Sequence, residues 1–261
     1  MNIFTKYYKN IKNLEKLKFN IYLIFVYENC TDNSKSILLE YKKNNKNVIV
    51  QNIINNSKLR TERIAKARNT CLDIVYNELD NILFHIMIDC DNRCSLKWNI
   101  DIINKYLNDY DNKGWDCISF NKNHYYDIWA LCYDNIKHHC FGFEDDIDKV
   151  VNFMRKNIVY KLNHCKLDYI EVISAFNGFC IYKTKKFKDL FYDGSYTNYR
   201  NLFDDNDRKK TIEELAKNNI HVEIKDCGRL GRNECCEHLY YNICAYKRGN
   251  KITISKFKVI K

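Results

Sequence analysis

Apolar runs alternate with polar segments along the N-terminal third of the chain in a pattern that predicts three strands and two helices. Short apolar runs at 20–27 and 82–88 are typical of strands that are buried on both faces, and 48–53 predicts a further strand. The intervening segments 34–45 and 58–79 predict helices, and the second repeats apolar residues at helical spacing. The order β-α-β-α-β predicts a sheet with helices packed on its faces.

The rest of the chain continues this mixture without an internal repeat or a linker, which favours one domain over 1–261. Residues 1–18 predict a leading helix or a loose arm, because Ile11, Leu14 and Leu17 are spaced as on one helical face. Later segments predict helices at 97–110, 144–158 and 208–219, and strands at 116–120, 126–132, 170–173, 179–182 and 221–225. We therefore expect an α/β fold, a three-layer α/β/α sandwich around a mixed, mostly parallel central sheet.

Acidic residues follow the first and the third predicted strands. The cluster 28–32 follows the first, and Asp89 and Asp91 follow the third. In open α/β sheets, ligands bind beyond the carboxyl ends of the strands. Two carboxylates at i and i+2 on an extended segment point the same way and can share Mg²⁺ or Mn²⁺, which takes its other ligands from water and phosphates. The alternative is a pair of solvated loop acids. A dehalogenase-type site is disfavoured, because Arg93 stands where such a site has Thr or Val.

Three arginines lie in the front half of the predicted helix 58–79. Arg60, Arg63 and Arg68 cluster there although the chain has 33 Lys and only 10 Arg. Guanidinium groups hold phosphates through paired hydrogen bonds, so this helix could face a phosphorylated ligand. The alternative is a solvated helix face.

Other polar groups carry weaker signals. Glu28, Asn29 and Asp32 could accept hydrogen bonds from a base or a ribose, or could simply form the turn after the first strand. Glu237 next to His238 could supply a general base and a metal ligand. No zinc site is expected, because the spacing of the histidines and cysteines, such as His138, His139, Cys140, His164 and Cys165, matches no zinc motif.

The net charge of +10 does not by itself indicate a nucleic-acid partner. The basic residues are mostly Lys spread along the whole chain, whereas a nucleic-acid binder concentrates basic charge on one face with interleaved aromatics. The abundance of residues with A/T-rich codons and the absence of Pro indicate an A/T-rich genome, which explains the Lys content. We expect no nucleic-acid partner.

The compartment is predicted from the cysteines and from the N-terminal segment. The chain has 13 Cys, an odd number, and no Cys-x-x-Cys pair, which favours reduced thiols. The start of the chain has no apolar signal region, and no window approaches the roughly 18 apolar residues of a membrane span. We expect a cytoplasmic protein that is not secreted and has no membrane span.

Six short motifs occur in a fixed order along the chain: YENCTDNS at 27–34, RIAKARN at 63–69, IDCD at 88–91, YYDIWAL at 125–131, NGFCIYK at 177–183 and CEHL at 236–239. Together they resemble a group of GT-A-type nucleotide-sugar glycosyltransferases found in large DNA viruses and bacteria, which is also similar to the fungal capsule-associated mannosyltransferases. The resemblance covers about residues 20–243. It implies a GT-A, Rossmann-like fold with a nucleotide-binding half at 20–91, an acceptor-side half at 92–245 and a C-terminal tail at 246–261.

The resemblance also implies which residues bind the donor. Those around the nucleoside would be Tyr27, Glu28, Asn29 and Asp32. Those facing the diphosphate, or supporting the wall that does, would be Arg60, Arg63 and Arg68. Those lining the sugar or acceptor side would be Tyr126, Asp127, Trp129, Asn177 and Gly178, with the Asn177-Gly178 backbone approaching the sugars closely.

The metal and the catalytic groups follow from the same resemblance. Asp91 would bind Mn²⁺ or Mg²⁺ that bridges the diphosphate, Asp89 would contact the ribose or a metal-bound water, and His238 would complete the metal sphere. A cation and Arg donors stabilise the negative charge that grows on the leaving diphosphate. An inverting enzyme also needs a base for the acceptor hydroxyl, for which Glu237 is the first candidate and Asp127 the second. A retaining enzyme would not need this base.

The expected activity is therefore the metal-dependent transfer of a sugar from a UDP- or GDP-sugar to a glycan, glycoprotein or lipid acceptor. The rival interpretations are a non-catalytic nucleotide-sugar or glycan-binding module with the same fold and, less favoured, a basic nucleic-acid-binding protein. The sequence indicates neither the sugar nor the oligomeric state.

Overall fold

The computed structural model describes residues 3–260, with side chains for 7–143 and 146–260. Within these residues the chain forms eight α-helices and seven strands, which confirms an α/β fold. The elements, in chain order, are α1 Ile3–Leu14, β1 Leu23–Tyr27, α2 Ser34–Lys43, β2 Val48–Asn52, α3 Arg60–Asn77, β3 Phe84–Ile88, α4 Ile100–Leu107, β4 Cys117–Phe120, α5 Ile147–His164, β5 Tyr169–Val172, β6 Phe179–Lys183, α6 Tyr196–Arg200, α7 Asp205–Ala216, α8 Glu237–Lys247 and β7 Ile252–Ser255.

The strands form two sheets. β1 and β2 pair in parallel, from Leu23 opposite Val48 to Tyr27 opposite Asn52. The other sheet has the order β3-β6-β4-β7-β5. Among its described pairs β4 and β7 are parallel, whereas β3–β6, β4–β6 and β5–β7 are antiparallel. The prediction of a mostly parallel central sheet is therefore wrong. An apolar run indicates that a strand is buried but not its direction, which depends on the end of the sheet at which a long connection re-enters.

Apolar side chains pack against both faces of the five-stranded sheet. Successive side chains of a strand point to opposite faces. Phe179 and Ile181 of β6 accordingly belong to one apolar cluster with α1 and α4, whereas Cys180 and Tyr182 belong to a second cluster with α5 and α8. This two-sided burial explains why β6, Phe179–Lys183, is apolar at its first four positions.

The C-terminal segment contributes central elements of the fold. The residues expected to form a tail at 246–261 include β7, which lies between β4 and β5 and is fully buried. α8 begins at Glu237, so the CEHL motif is the first turn of a helix that packs on α3 and β7. The segment is therefore part of the core.

Two predicted strands are absent from the described structure. Residues 126–132 contain a 3-10 turn at Ile128–Ala130, and 221–225 pair with no described strand. Ile128, Ala130 and Leu131 are all buried at 2% exposure or less, so the apolar residues of this run are in the core although the run is not a strand. No described helix is both long and apolar enough to cross a membrane.

Candidate functional site

A cavity of about 490 Å³ opens beyond the ends of β1 and β2, beside the first turns of α3. Its lining includes Tyr27, Glu28, Asn29, Arg60 and Arg63, all predicted to bind the nucleotide sugar. Glu28 Oε1 accepts a hydrogen bond from the backbone N of Asn55 at 3.1 Å, which ties the two strand ends together. Neither Arg60 nor Arg63 forms a salt bridge with a described residue, so both positive charges are available to a ligand.

A second cavity, of about 1530 Å³, adjoins the first and shares Tyr27 and Arg60 with it. Its walls include strands β1 and β3 and helices α1 and α3. It brings together most of the other predicted site residues, namely Arg68, Asp89, Asp91, Tyr126, Asp127, Trp129, Glu237 and His238. The two cavities place the predicted nucleotide-binding and catalytic residues around one continuous opening.

Arg68 joins two of the predicted acidic residues. Its Nη2 donates to Asp89 Oδ1 at 2.8 Å and its Nε donates to Glu237 Oε1 at 2.9 Å. The guanidinium is 8% exposed and Glu237 is 4% exposed. A buried charge is stable only when it is paired, so these three groups hold one another in place. Of its two predicted roles, Arg68 therefore fits the support of the site wall better than direct contact with a diphosphate.

The Asp89–Asp91 loop is held in shape from several sides. The Tyr7 hydroxyl of α1 donates to the backbone oxygens of Asp89 at 2.5 Å and of Asp91 at 3.1 Å. Asp91 Oδ1 accepts hydrogen bonds from the backbone N–H groups of Arg93 and Cys94. Tyr126 Oη donates to Asp89 Oδ2 at 3.4 Å. The loop is thus fixed mainly through Asp91 Oδ1, while Asp91 Oδ2 has no hydrogen bond to a described residue.

The carboxyl of Asp127 has a raised pKa. The loss of solvating water and the nearby charges of Asp89 and Glu237 raise the pKa of its carboxyl to about 7. Its Oδ2 accepts a hydrogen bond from the backbone N of Asn177 at 3.2 Å. A carboxyl with a pKa near neutrality can both accept and release a proton at physiological pH.

Asn177 and Gly178 line neither cavity. Asn177 is 1% exposed, and its Oδ1 accepts hydrogen bonds from the backbone N–H groups of Tyr126 and Asp127. Gly178 has a φ of +87°, and a Cβ there would lie 2.4 Å from both Cys94 Sγ and the Tyr126 hydroxyl. The close backbone approach predicted here is to the protein's own side chains. Both residues position the segment that carries Asp127.

Asp32 is also outside both cavities. It is exposed, and its Oδ1 accepts a hydrogen bond from the backbone N of Ser34 at 3.0 Å, just where α2 begins. Hydrogen bonding from the Ser34 side chain and, second, from its backbone N lowers the pKa of Asp32. The turn interpretation of this residue describes its placement better than contact with a nucleoside.

His238 is enclosed behind the carboxylates. Its ring is 1% exposed and stacks on Phe176 with ring centroids 3.5 Å apart, and neither ring nitrogen has a hydrogen-bond partner. Burial and the nearby Arg68 lower its pKa well below the usual value, so it is neutral. In the described part of the chain, no three His, Cys, Asp or Glu side chains are arranged to hold a metal ion. Asp89, Asp91 and His238 thus do not converge as three protein ligands.

Several residues of this region carry no local sequence signal. Phe176 and Tyr192 lie against the Arg68 guanidinium, with ring centroids 4.9 Å and 5.7 Å from Cζ. Tyr7 and Arg229 also line or support the larger cavity. Aromatic residues are abundant throughout this chain, so only the fold distinguishes these.

Comparison of the chain with protein-family models and with curated proteins finds no match. The chain is assigned to no family on this basis, and its function is inferred from the site.

Proposed function

We propose that this protein is a metal-dependent glycosyltransferase that moves a sugar from a UDP- or GDP-sugar to a glycan, glycoprotein or lipid acceptor in the cytoplasm. The observation that supports the proposal is the pair of adjoining cavities. One carries the unpaired Arg60 and Arg63, and the other carries the carboxylates of Asp89, Asp91 and Asp127. A diphosphate between them would meet cationic donors on one side and a metal-binding loop on the other.

The donor set of the larger cavity is compatible with Mg²⁺ or Mn²⁺. These ions are often held by one or two carboxylates, with water and substrate phosphates completing the shell. Asp91, through its unengaged Oδ2, and Asp89 would provide these ligands. When bound, the metal would neutralise charge that develops on the leaving diphosphate. His238 fits this role poorly, because its ring is buried against Phe176.

Asp127 suits the role of general base better than Glu237. Glu237 is fixed in its ion pair with Arg68, which holds its carboxylate in one orientation. Asp127 has a pKa of about 7 and its carboxyl lines the open cavity. A base with a pKa near the working pH is efficient because it is unprotonated often enough and still binds the proton well. The charge of Glu237 would then raise the pKa of Asp127, and the charge of Arg68 would lower it.

A GT-A-like three-layer fold is part of this proposal. The β-α-β-α-β order of the first half, and a five-stranded sheet that is apolar on both faces, are compatible with a GT-A-like three-layer arrangement. The antiparallel pairs and the separate β1–β2 sheet would make this a variant of it. The motif resemblance is the reason for choosing this fold among α/β folds.

A non-catalytic nucleotide-sugar-binding module is the second candidate. It is favoured by the double engagement of Arg68, which occupies oxygens of both Asp89 and Glu237. A site whose acidic groups are already neutralised internally can bind a ligand without activating it.

Two measurements test the proposal. First, thermal unfolding with UDP or GDP should shift upward when Mn²⁺ is added, because a ligand that binds the folded state stabilises it. No metal-dependent shift with either nucleotide would contradict the donor site. Second, UDP- and GDP-sugars should be hydrolysed slowly even without an acceptor. Binding without any turnover, with or without an acceptor, would favour the module.

A further inference from the structure

Arg229 lies against two aromatic side chains in the wall of the larger cavity. Its Cζ is 5.2 Å from the centre of the Trp129 ring and 5.4 Å from that of Phe141. The two rings meet edge to face with their centroids 5.1 Å apart. All three side chains line the larger cavity and none lines the smaller one. The cluster lies in the larger cavity, whose lining also includes Arg60 but not Arg63.

Two N–H donors of this cluster lack an acceptor. Arg229 Nε and Trp129 Nε1 are both buried and have no hydrogen-bond partner. No carboxylate of the described side chains, 7–143 and 146–260, forms a salt bridge with Arg229, although Asp148 lines the same cavity. A buried donor that is left unsatisfied costs about 1–3 kcal/mol. A ligand that brings an oxygen anion would satisfy both donors and the charge.

The cluster adjoins the proposed base. Trp129 follows Asp127 by two positions in the same 3-10 turn region. The Cys140 thiol is close to both charged groups: burial and Asp127 raise its pKa, Arg229 lowers it, and the resulting pKa is about 12. The cationic cluster and the Asp127 carboxyl therefore lie on neighbouring parts of one wall, where an acceptor would have to bind.

The loop that carries Arg229 is fixed before any ligand binds. Arg229 N donates to Glu234 O at 2.9 Å, and Glu234 Oε1 accepts a hydrogen bond from Arg60 N at 2.8 Å. A Cβ at Gly228 would lie 2.2 Å from the backbone oxygen of Arg232, so only glycine allows this close packing. A pre-organised cation loses little conformational entropy on binding, which favours a specific recognition role.

We propose that Arg229 and Trp129 bind an anionic group of the acceptor sugar, the carboxylate of a uronic acid or the phosphate of a phosphosugar, and so select acidic glycans. The proposal rests on the proposed function, because it names the acceptor class of that site. The Arg229 guanidinium would form paired hydrogen bonds to the anion, and Trp129 Nε1 would donate a further one.

Tryptophan fluorescence provides the test. Trp115 is 0% exposed and lines neither cavity, whereas Trp98 and Trp129 both line the larger one, so these two should give the ligand response. The probes are methyl glucoside, methyl glucuronide and glucose 6-phosphate. We expect at least one anionic probe to bind ten times or more tighter than the neutral glucoside. The anionic probe with the higher affinity shows whether carboxylate or phosphate is preferred.

Two variants make the test specific. Arg229→Gln should lower the affinity for the anionic probe to that for the neutral probe. The affinity for the neutral probe should not change. Arg232→Gln removes the same charge from an exposed position in the same loop and should change neither affinity. Equal affinities for neutral and anionic probes in the unmodified protein, or a preference that survives Arg229→Gln, would overturn the inference. Thermal unfolding of each variant confirms that it is folded.

A parallel titration with UDP or GDP and Mn²⁺ separates this inference from the proposed function. This titration uses the unmodified protein, because Arg229 shares the larger cavity with Asp89 and Asp91. An anion preference without nucleotide binding would count against the donor site alone. Nucleotide binding without an anion preference would count against the acceptor class alone.

Discussion

Arg68 in α3 and Glu237 at the start of α8 form a buried hydrogen-bonded ion pair, with Nε and Oε1 2.9 Å apart, although 169 positions separate them along the chain. The same guanidinium holds Asp89 at the end of β3. One side chain thus connects the helix of the arginine cluster, the Asp89–Asp91 loop and the CEHL motif. The integrity of the site should depend on it.

Arg68→Met should unfold more easily than the unmodified protein, by about 3–5 kcal/mol, because it leaves the buried Glu237 without a positive charge and removes the partner of the half-buried Asp89. Urea denaturation followed by circular dichroism measures the loss. Arg63→Met is the matched control, because Arg63 lies on the same helix, is exposed and has no described ion pair. A loss of the same small size in both variants would show that the buried pairs add no stability.

Asp91→Asn should fold normally and lose the metal-dependent response to nucleotide. The amide oxygen can still accept the backbone hydrogen bonds of Arg93 and Cys94, so the loop keeps its shape. The lost carboxylate charge removes most of the affinity for a hard cation. The thermal shift with UDP or GDP and Mn²⁺ is the measurement.

Asp32→Asn is the control for this substitution. It makes the same chemical change in an exposed residue outside both cavities, so the metal-dependent shift should persist. A normal shift in Asp91→Asn would remove Asp91 from the site.

The raised pKa of Asp127 predicts a pH dependence of stability in the metal-free protein. The folded state binds the proton more tightly, with a pKa of about 7 against the ordinary 3.8. This contribution to stability is complete below pH 3.8 and is lost as the pH rises to about 7, at up to ~1.4 kcal/mol per pH unit. Asp127→Asn has no titrating carboxyl at this position, so its stability does not show this loss with rising pH.

The free energy of unfolding of Asp127→Asn should therefore rise relative to that of the unmodified protein between pH 4 and 7, and then level off. Asp73→Asn, at an exposed position of α3, should show a constant difference over the same range. A constant difference for Asp127→Asn as well would show that its carboxyl titrates normally.

Gly178→Ala should destabilise the protein more than Gly249→Ala. Both residues have nearly the same left-handed backbone, with φ of +87° and +86°, so each substitution costs about 1 kcal/mol of backbone strain. A Cβ at Gly178 would also lie 2.4 Å from the Tyr126 hydroxyl, whereas nothing lies within 4 Å at Gly249. The difference between the two unfolding free energies measures this crowding, and equal values would contradict it.

Much of the secondary structure could be predicted from the sequence. The runs that form β1, β2 and β3 and the spacing that forms α3 are local signals, because each element reveals its buried face through its own residues. The strand prediction for 126–132 is wrong for a physical reason. Its apolar residues are buried, and burial alone does not distinguish a strand from a compact turn.

Part of the candidate site could also be predicted, because some of its residues form short local patterns. The Asp89-x-Asp91 pair and the cluster of Arg60 and Arg63 are short patterns with a known chemistry. The cationic cluster of Arg229 is formed by residues from three distant segments. No local pattern marks it, and only the fold brings Trp129 and Phe141 to its guanidinium.

The sequence by itself determined which segments are buried, which turns carry acids and that an α/β fold results, because these properties are encoded over a few neighbouring residues. Only the tertiary structure decided that most strand pairs in the five-stranded sheet are antiparallel, that Arg68 is paired internally and that Asp127 titrates near neutrality. Strand direction and protonation depend on groups that are remote in sequence, and their energies arise only when the chain brings those groups together.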